Sequence, residues 1–565
     1  MKYNKILSIA AATVLMCGCA DNAMYTEAPA EPGVTGQDGY TYLKSYVNRS
    51  ENPNFKLGAG VEASDVFAHY PAWTEAKQNF DEVTPGNLMK FKSVVKDDGT
   101  MDFRGVTDFV NEVDAAGLTV YGHTLCWHSQ QNTTYLKSLL APPNYYLHIN
   151  SSEAKTNAWD GSVTYTLSEP LENDQEYTIS FKGKATTSVD VPFWPSGTAT
   201  QYLPAFKFTK DWSVISQTFK CTAELNKLSL EFGTYAGDIC IDDFTLVKKG
   251  TTDNLIKNSD FDGDNIGMWS KPSWHNHTTV IRDKEESEKA GGEEAAKDSL
   301  NKVLDRWIDG MMEACHGKVT AWDVVNEAIS GVDKDNDGFY DLQSATRGTV
   351  NADDAKKNFY WQDYLGDLDY VRTAVADARK SFAAHGGDAS QLKLFINDYN
   401  LESSWDDNKK LKSLIHWIGE WESDGVTKID GIGTQMHVSV SMDPAAQKRN
   451  EAAVVNQFKL LAATGKLIKI SELDMGILAA DGKTEILTAN ATEEQIAAQK
   501  AYYNFIIKAY FENIPADQRY GITQWSLTDS PEKSYWRPNE PIGLWDKDLN
   551  RKPTYAGFAD GLANK

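Results

Sequence analysis

The chain contains short apolar, largely β-branched runs that are separated by amphipathic stretches. Eight of these runs have the length and composition of buried strands, because they stay apolar over about four to eight residues. In chain order they read FKLGAGVE, FDEVTPGN, LTVYGHTLCW, KVTAWDVVNE, LKLFINDYN, DGIGTQMH, LIKISELD and YGITQWSL.

Helical periodicity appears between most of these runs. The clearest example places seven apolar residues on one face, which we predict to be core: Leu300, Val303, Leu304, Trp307, Ile308, Met311 and Met312. Repeated strand–helix units predict an α/β fold, a closed (β/α)₈ TIM barrel.

Residues from about 133 to 285 have a different pattern, in which apolar and polar residues alternate over short runs broken by Gly, Asp and Asn. This pattern is typical of an antiparallel β-sandwich of the jelly-roll kind. We therefore predict a barrel formed by residues 41–131 and 287–565, interrupted after its third strand by a sandwich at 132–286.

The N-terminal sequence predicts export. Lys2 and Lys5 precede an apolar run, residues 6–16, that is too short to span a bilayer. The following Gly18-Cys19 resembles a bacterial lipobox, which implies a signal peptide at 1–19, lipidation of Cys19 and a tether at 20–40. The lipid would hold the protein at the outer membrane, on the cell surface or the periplasmic side. An ordinary cleaved signal peptide is the alternative.

Composition narrows the choice of ligand. A net charge of −24 over 565 residues argues against nucleic acid, because phosphates would be repelled. No group of Cys and His residues has zinc-site spacing, so we predict no metal in the functional site. The negative charge favours a neutral ligand, and the sixteen tryptophans provide flat apolar faces on which such a ligand can stack.

Polar and aromatic side chains follow seven of the predicted strands. A barrel enzyme carries its active site at the carboxyl ends of its strands, so this repetition predicts a site at the barrel mouth. Two of these residues, Glu327 and Glu472, follow strands four and seven, on opposite sides of the barrel. Glycoside hydrolysis needs such a pair, one carboxylic acid and one carboxylate on either side of the sugar.

Several motifs resemble those of glycoside hydrolase family 10, the endo-β-1,4-xylanases. They include WDVVNEA, ISELD, YGHTLCWHSQ, FINDYN, GIGTQMH, WSLTDS and YWRP, in the family's order. The resemblance implies a retaining double displacement on xylan and xylo-oligosaccharides that requires no cofactor.

The same resemblance implies a role for each matching residue. Glu327 corresponds to the acid/base and Glu472 to the nucleophile, while Asn326 corresponds to the residue that contacts the sugar 2-hydroxyl. His437 would orient the nucleophile, with Asp474 supporting that histidine. The residues that would line the sugar subsites are Asn87, Lys90, His123, Trp127, Gln130, Tyr399, Gln435, Trp525 and Trp536.

The sequence departs from the family in two places. GNLMK stands where most members read ENEMK, so Gly86 replaces a sugar-binding glutamate. This change predicts weaker binding of the sugar two units from the cleaved bond. In addition, HSQQNTT replaces HSQLPxW, which predicts a remodelled loop where the middle segment begins.

The middle segment resembles carbohydrate-binding modules of families 4 and 22. DICIDDFTLVKKG is similar to their last strand, and NLIKNSDFDGDNIGMWSK, which follows it, is similar to their first. This order implies a permuted module, whose first and last strands should lie close together. Trp194 and Tyr202 flank Gly/Pro-rich loop sequence, so we predict that they bind glycan. A spacer that binds nothing is the alternative.

One loop has partial EF-hand spacing. In DKDNDGFYDLQS, Asp333, Asp335 and Asp337 occupy ligand positions, but Ser344 stands where a bidentate Glu would close the shell. A solvated acidic loop is one interpretation and a structural calcium site is another; a calcium site in the sandwich near Asp242 and Asp260 is a third.

Two rival functions are compatible with parts of the sequence. The chain could be a glycan-capturing protein on an inactive barrel, although the presence of both glutamates argues against this. It could instead cleave mannan or cellulose, but the His123-Thr-Leu-Cys-Trp-His run favours xylan.

Overall fold

The computed structural model describes residues 39–140, 145–261, 265–284 and 286–564. The predicted signal peptide, Cys19 and the tether up to residue 38 lie outside the described residues. The chain divides into two compact units, one of Met1–Leu139 with Ser299–Lys565 and the other of Leu140–Asp298. The second unit begins 8 residues after the predicted position 132 and ends 12 residues after the predicted position 286.

The first unit is a parallel barrel with eight strand positions, as predicted. They are Lys56–Val61, Glu82–Pro85, Thr119–Val120 with Gly122–Cys126, Ala321–Asn326, Lys393–Asp398, Gly431–Thr434, Leu467–Leu478 and Arg519–Gln524. The third position is broken at Tyr121: its first part pairs with the second strand and its second part with the fourth. The first strand pairs with the eighth, so the sheet is closed except for this break. A short strand, His437–Ser441, pairs with the extended seventh.

Helices connect the barrel strands. The described α-helices are Ala63–Phe67, Pro71–Asn79, Phe91–Val94, Arg104–Ala115, Thr133–Ser138, Glu286–Cys315, Ala352–Lys357, Gln362–Leu365, Asp369–Ala384, Lys409–Glu422, Pro444–Ala463, Glu493–Asn513 and Pro553–Leu562. Short 3₁₀ turns are Leu43–Tyr46, Ala158–Asp160, Thr488–Asn490 and Ala516–Gln518. The apolar face predicted on the helix containing Trp307 is buried throughout. Across the described part of the chain, no helix combines the length and the apolar character needed to cross a membrane.

Burial explains why the barrel strands read as uninterrupted apolar runs. In Ala321–Asn326 every residue is buried, because one face packs into the barrel and the other under helices. Helix starts follow local chemistry: Thr492 and Gln495 form a capping box before Glu493–Asn513, and Pro553 begins the last helix.

The second unit consists of two antiparallel sheets. One has the order Leu203–Phe208, Val189–Phe193, Leu225–Glu231, Ser162–Leu171 and Trp269–Ser270, with Ser196–Gly197 beside Leu225–Glu231. The other has the order Ser213–Lys220, Glu176–Ala185, Gly237–Lys248, Tyr145–Ser151 and Thr278–Lys284. Alternate residues enter an aromatic core in which the rings of Phe181 and Phe244 stack at 4.9 Å. The first and last strands of this unit, Tyr145–Ser151 and Thr278–Lys284, pair directly.

Candidate active site

Glu327 lies just beyond the fourth barrel strand, held at a backbone φ of +57°. Its amide N–H donates to the carbonyl of Asn397 at 2.7 Å, which ties the end of strand four to strand five. Both carboxylate oxygens accept hydrogen bonds: Oε2 from Trp127 Nε1 and Oε1 from Gln435 Nε2, each at 3.0 Å. Trp127 therefore contacts the predicted acid/base directly, in addition to its predicted place in the sugar cleft.

Glu472 is 6% exposed on the seventh strand. Its Oε1 accepts from Asn397 Nδ2 at 2.8 Å and its Oε2 lies 3.2 Å from His437 Nε2. The second N–H of Asn397 donates to Asn326 Oδ1 at 2.9 Å, and Ser471 donates to the Asn397 oxygen. Because the Glu472 carboxylate can only accept, the NH₂ of Asn397 must face it, which fixes the orientation of the amide.

Asn397 thus connects the two halves of the site. It reaches Asn326, beside Glu327, and it also reaches Glu472. The sequence places Asn397 at a strand end within FINDYN, but this bridging role depends on the register between strands four, five and seven. The approach of two carboxyls to about 5–5.5 Å, expected of a retaining glycosidase, stays a prediction.

His437 lies between two carboxylates. Its Nδ1 is 3.2 Å from Asp474 Oδ1, while its Nε2 faces Glu472. Asp474 is fully buried and also accepts from Trp536 Nε1 at 2.7 Å and Arg537 Nη1 at 3.0 Å. Arg537 belongs to the YWRP motif but is not among the predicted site residues. These contacts hold the imidazole ring with one nitrogen directed at each carboxylate.

The electrostatics follow from this arrangement. Burial lowers the pKa of His437, but the charge of Asp474 and hydrogen bonds with Asp474 and Glu472 raise it to about 10. Burial raises the pKa of Glu472, yet the hydrogen bond from His437 and the charges of His123, His437 and Lys90 hold it below its usual value. At neutral pH Glu472 is therefore ionised and His437 is an imidazolium. Its Nε2 donates to Glu472 and its Nδ1 forms an ion pair with Asp474.

A second polar group is buried in the barrel. His123 Nδ1 is 2.8 Å from Asp323 Oδ2, and Tyr121 donates to Asp323 Oδ1 at 2.6 Å. Lys90 is 5% exposed, and its Nζ lies 3.4 Å from Asn87 Oδ1. Burial lowers the pKa of Lys90, opposed by the charges of Glu472, Glu327 and Glu62. Asp323 and Glu62 are not among the predicted site residues.

The remaining predicted subsite residues are also placed by the barrel. The Trp525 ring lies 5.8 Å from that of His123 and 6.3 Å from that of His437. The ammonium of Lys410 lies 3.2 Å from the centre of the Tyr399 ring. Gln130 has a left-handed backbone and accepts from Lys92 N–H through its carbonyl. Their contacts with sugar stay predictions.

The acidic loop brings three carboxylates together. Oxygens of Asp333, Asp335 and Asp337 lie within 4.8 Å of one another. However, Lys409 Nζ is 2.7 Å from Asp333 Oδ2, and the Ser344 hydroxyl donates to Asp363 rather than facing the loop. Calcium binding stays a prediction, and the lysine pair favours the solvated loop.

The sandwich unit carries an aromatic row of Trp159, Trp194 and Tyr202, in which Trp194 is half-buried and the other two are exposed. The ring centres of Trp159 and Trp194 are 6.4 Å apart, and those of Trp194 and Tyr202 are 5.2 Å apart. Trp159 is 59% exposed and Tyr202 is 73% exposed, unlike Trp269, which is 4% exposed in the core. The two predicted residues therefore belong to one surface feature.

The profile of glycosyl hydrolase family 10 matches residues 47–152 and 271–561, more than half of the chain. The chain belongs to glycosyl hydrolase family 10. Endo-1,4-beta-xylanase A of Caldicellulosiruptor saccharolyticus is 30% identical over 290 residues, which cover 50% of this chain and 70% of that protein. Endo-1,4-beta-xylanase A of Cellvibrio japonicus (strain Ueda107) is 30% identical over 268 residues, 46% of this chain. The match covers 40% of the Cellvibrio protein, less than half of its length.

The fold of this family 10 chain is also similar to that of a solved relative. Native xylanase10C from Cellvibrio japonicus superimposes with a TM-score of 0.51 at 19% identity, covering 95% of this chain and 75% of that one. At this identity the likeness concerns the fold alone, so the assignment of individual site residues depends on the geometry described above.

Proposed function

We propose that this family 10 chain is a retaining endo-β-1,4-xylanase. The observation that carries the proposal is a pair of glutamates, one within the seventh strand and one just beyond the fourth: Glu472 is buried, ionised and directed by His437, and Glu327 is held by Trp127 and Gln435. The naming of its relatives as endo-1,4-beta-xylanases supports the same substrate class.

The geometry supports a division of labour between the two glutamates. Glu472 attacks the anomeric carbon while Glu327 gives its proton to the departing glycosidic oxygen, which forms a covalent glycosyl-enzyme. Glu327, now ionised, takes a proton from the water that releases the sugar. Asn326 precedes Glu327 and accepts from Asn397, which also donates to Glu472, and we assign it to bind the 2-hydroxyl of the reacting sugar.

Product analysis tests this function. The purified chain is expected to release mixed xylo-oligosaccharides from plain and branched xylan, and little product from mannan or carboxymethylcellulose. NMR of the first products should show the β-anomer, since two displacements retain configuration. Faster cleavage of mannan or cellulose would identify the rival substrate, and absence of hydrolysis alongside xylan binding would identify a capture protein.

We infer further that the sandwich is a glycan-binding module inserted after the third barrel strand. The aromatic row supports this, because pyranose rings pack on flat aromatic faces. Direct pairing of its first and last strands supports insertion, because both ends of the module then lie at one place. Lipidation of Cys19 and export remain predictions from the N-terminal sequence.

The double variant Trp194→Ala/Tyr202→Ala is expected to lose xylan binding by the module. Each lost stacking contact costs about 0.5–1.5 kcal/mol, so affinity should fall about 5- to 150-fold for the pair. Retention in native gels containing xylan measures this, with Glu472→Ala present in every variant so that the polymer is not consumed.

Trp274→Ala is the matched control, because Trp274 is 74% exposed on the same unit and lies outside the row. It should leave retention unchanged. Equal retention of the double variant and its parent would show that the sandwich is a spacer.

A further inference from the structure

Position 86 is the place where this chain lacks the carboxylate that the family's motif carries. Parallel pairing aligns Val61 with Pro85, so the next residues, Glu62 and Gly86, lie side by side at the strand ends. A Cβ on Gly86 would lie 2.6 Å from Glu62 Oε1. The carboxylate of Glu62 therefore occupies the space that a side chain at position 86 would enter.

The backbone of Gly86 is not what requires glycine. Its φ lies outside the left-handed region, and the nearest atoms to a Cβ all belong to the Glu62 carboxyl group. The carboxyl group of Glu62 therefore fills the space beside Gly86, which explains why position 86 has no side chain.

Glu62 faces the sugar cleft. It is half-buried and lines one recess together with Gly86, Trp525 and Trp536. Its charge also reaches Lys90, which in turn is close to Asn87 and to the charge of Glu472. A carboxylate, an ammonium and an amide beside tryptophan faces provide the acceptors and donors that sugar hydroxyls need.

We propose that Glu62 supplies, from the first barrel strand, the carboxylate that position 86 lacks, and that it determines how tightly the glycone sugar beyond the cleaved residue is bound. This assignment rests on the proposed xylanase function. Gly86 alone predicted weaker binding of the sugar two units from the cleaved bond. This assignment revises that prediction, because the carboxylate is supplied by position 62 in place of position 86.

Glu62→Ala and Glu62→Gln are expected to lower kcat/KM on xylotetraose about 10- to 100-fold, the effect of removing a charged hydrogen-bond acceptor. Long xylan should be affected less, since it occupies more subsites. The positions at which end-labelled xylotetraose is cut should shift toward fewer glycone sugars. Glu51→Gln, the same change at an exposed glutamate, should leave both readouts unchanged.

Moving the carboxylate from position 62 to position 86 distinguishes a role in sugar recognition from a role in stabilising the fold. Gly86→Glu alone directs two carboxylates into one space and should weaken xylotetraose binding, whereas Glu62→Ala/Gly86→Glu should restore most of the kinetics and the cleavage pattern. A defect in Glu62→Ala that the exchange leaves unrepaired would overturn the proposal in favour of a structural role, as would unchanged kinetics in both Glu62 variants.

Calorimetric titration of xylotetraose into Glu472→Ala variants keeps the two proposals distinguishable. Binding that depends on Glu62 supports the assignment even if the unmodified chain fails to hydrolyse xylan, which would defeat only the proposed activity. Binding that is equal with and without Glu62 defeats the assignment even in an active xylanase.

Discussion

Glu472→Ala is expected to abolish hydrolysis of every substrate, by about 10⁴-fold or more, because no other group can form the glycosyl-enzyme. Glu327→Ala is expected to lose about 10²–10⁴-fold on xylan, where the leaving oxygen needs a proton. On aryl xylobiosides with good leaving groups, such as dinitrophenol, Glu327→Ala should still form the glycosyl-enzyme and release a burst of phenol. Stopped-flow phenol release and mass spectrometry of the trapped adduct measure the difference.

The pair of variants serves as its own control. If both lose activity equally on the activated substrate, the assignment of acid and nucleophile is wrong. If the adduct forms in Glu472→Ala but not in Glu327→Ala, the two roles are exchanged. Thermal melts of both variants exclude loss of fold as the cause.

His437→Asn is expected to move the acid limb of the kcat/KM profile to higher pH. In the parent, the hydrogen bond and charge of His437 help to hold the pKa of Glu472 below its usual value against burial. Without the imidazolium the pKa of Glu472 rises, so a smaller fraction of Glu472 is ionised on the acid side. A pH–rate series on xylotetraose measures the shift, and an unchanged acid limb would contradict the role of His437.

His437 also makes the stability of the fold depend on pH in the alkaline range. The folded-state pKa of His437, about 10, lies above its ordinary value of 6.5. Its charge interactions therefore stabilise the fold fully below about pH 6.5, and this stability is lost as pH rises through about 10. Between about pH 6.5 and about 10, the melting temperature should therefore fall more in the parent than in His437→Asn. Both proteins must be folded at pH 6 for this comparison.

The barrel was predictable because the hydrophobic pattern of its strands differs from that of the helices and of the sandwich strands. Strands buried on both faces read as continuous apolar runs, whereas the sandwich strands alternate. The unit boundary was less predictable. Residues 133–138 form a helix capped by Asn132, and Asn132 Nδ2 donates to the Val95 carbonyl and to Asp97. These bonds join the segment to chain about 35 residues earlier, which no local pattern reveals.

The candidate site shows the same division. The sequence offers Glu327, Glu472 and His437 as candidates because each stands within or just after a recognisable apolar run. Asn397 as a bridge and Glu62 as a neighbour of Gly86 were not predictable, because both depend on which residues adjacent strands place at the same height. Periodicity identifies a strand but not its register against its neighbours.

The order of the barrel strands also determines when during synthesis the fold can be completed. The first strand, Lys56–Val61, needs the eighth, Arg519–Gln524, as one of its two neighbours. The sandwich strands find all their partners between residues 145 and 284. A nascent chain can therefore finish the sandwich while the barrel still has open strand edges, which favour aggregation. Premature termination before residue 519 would leave a folded sandwich attached to an unfinished, association-prone sheet, so intact translation matters more to the barrel than to the sandwich.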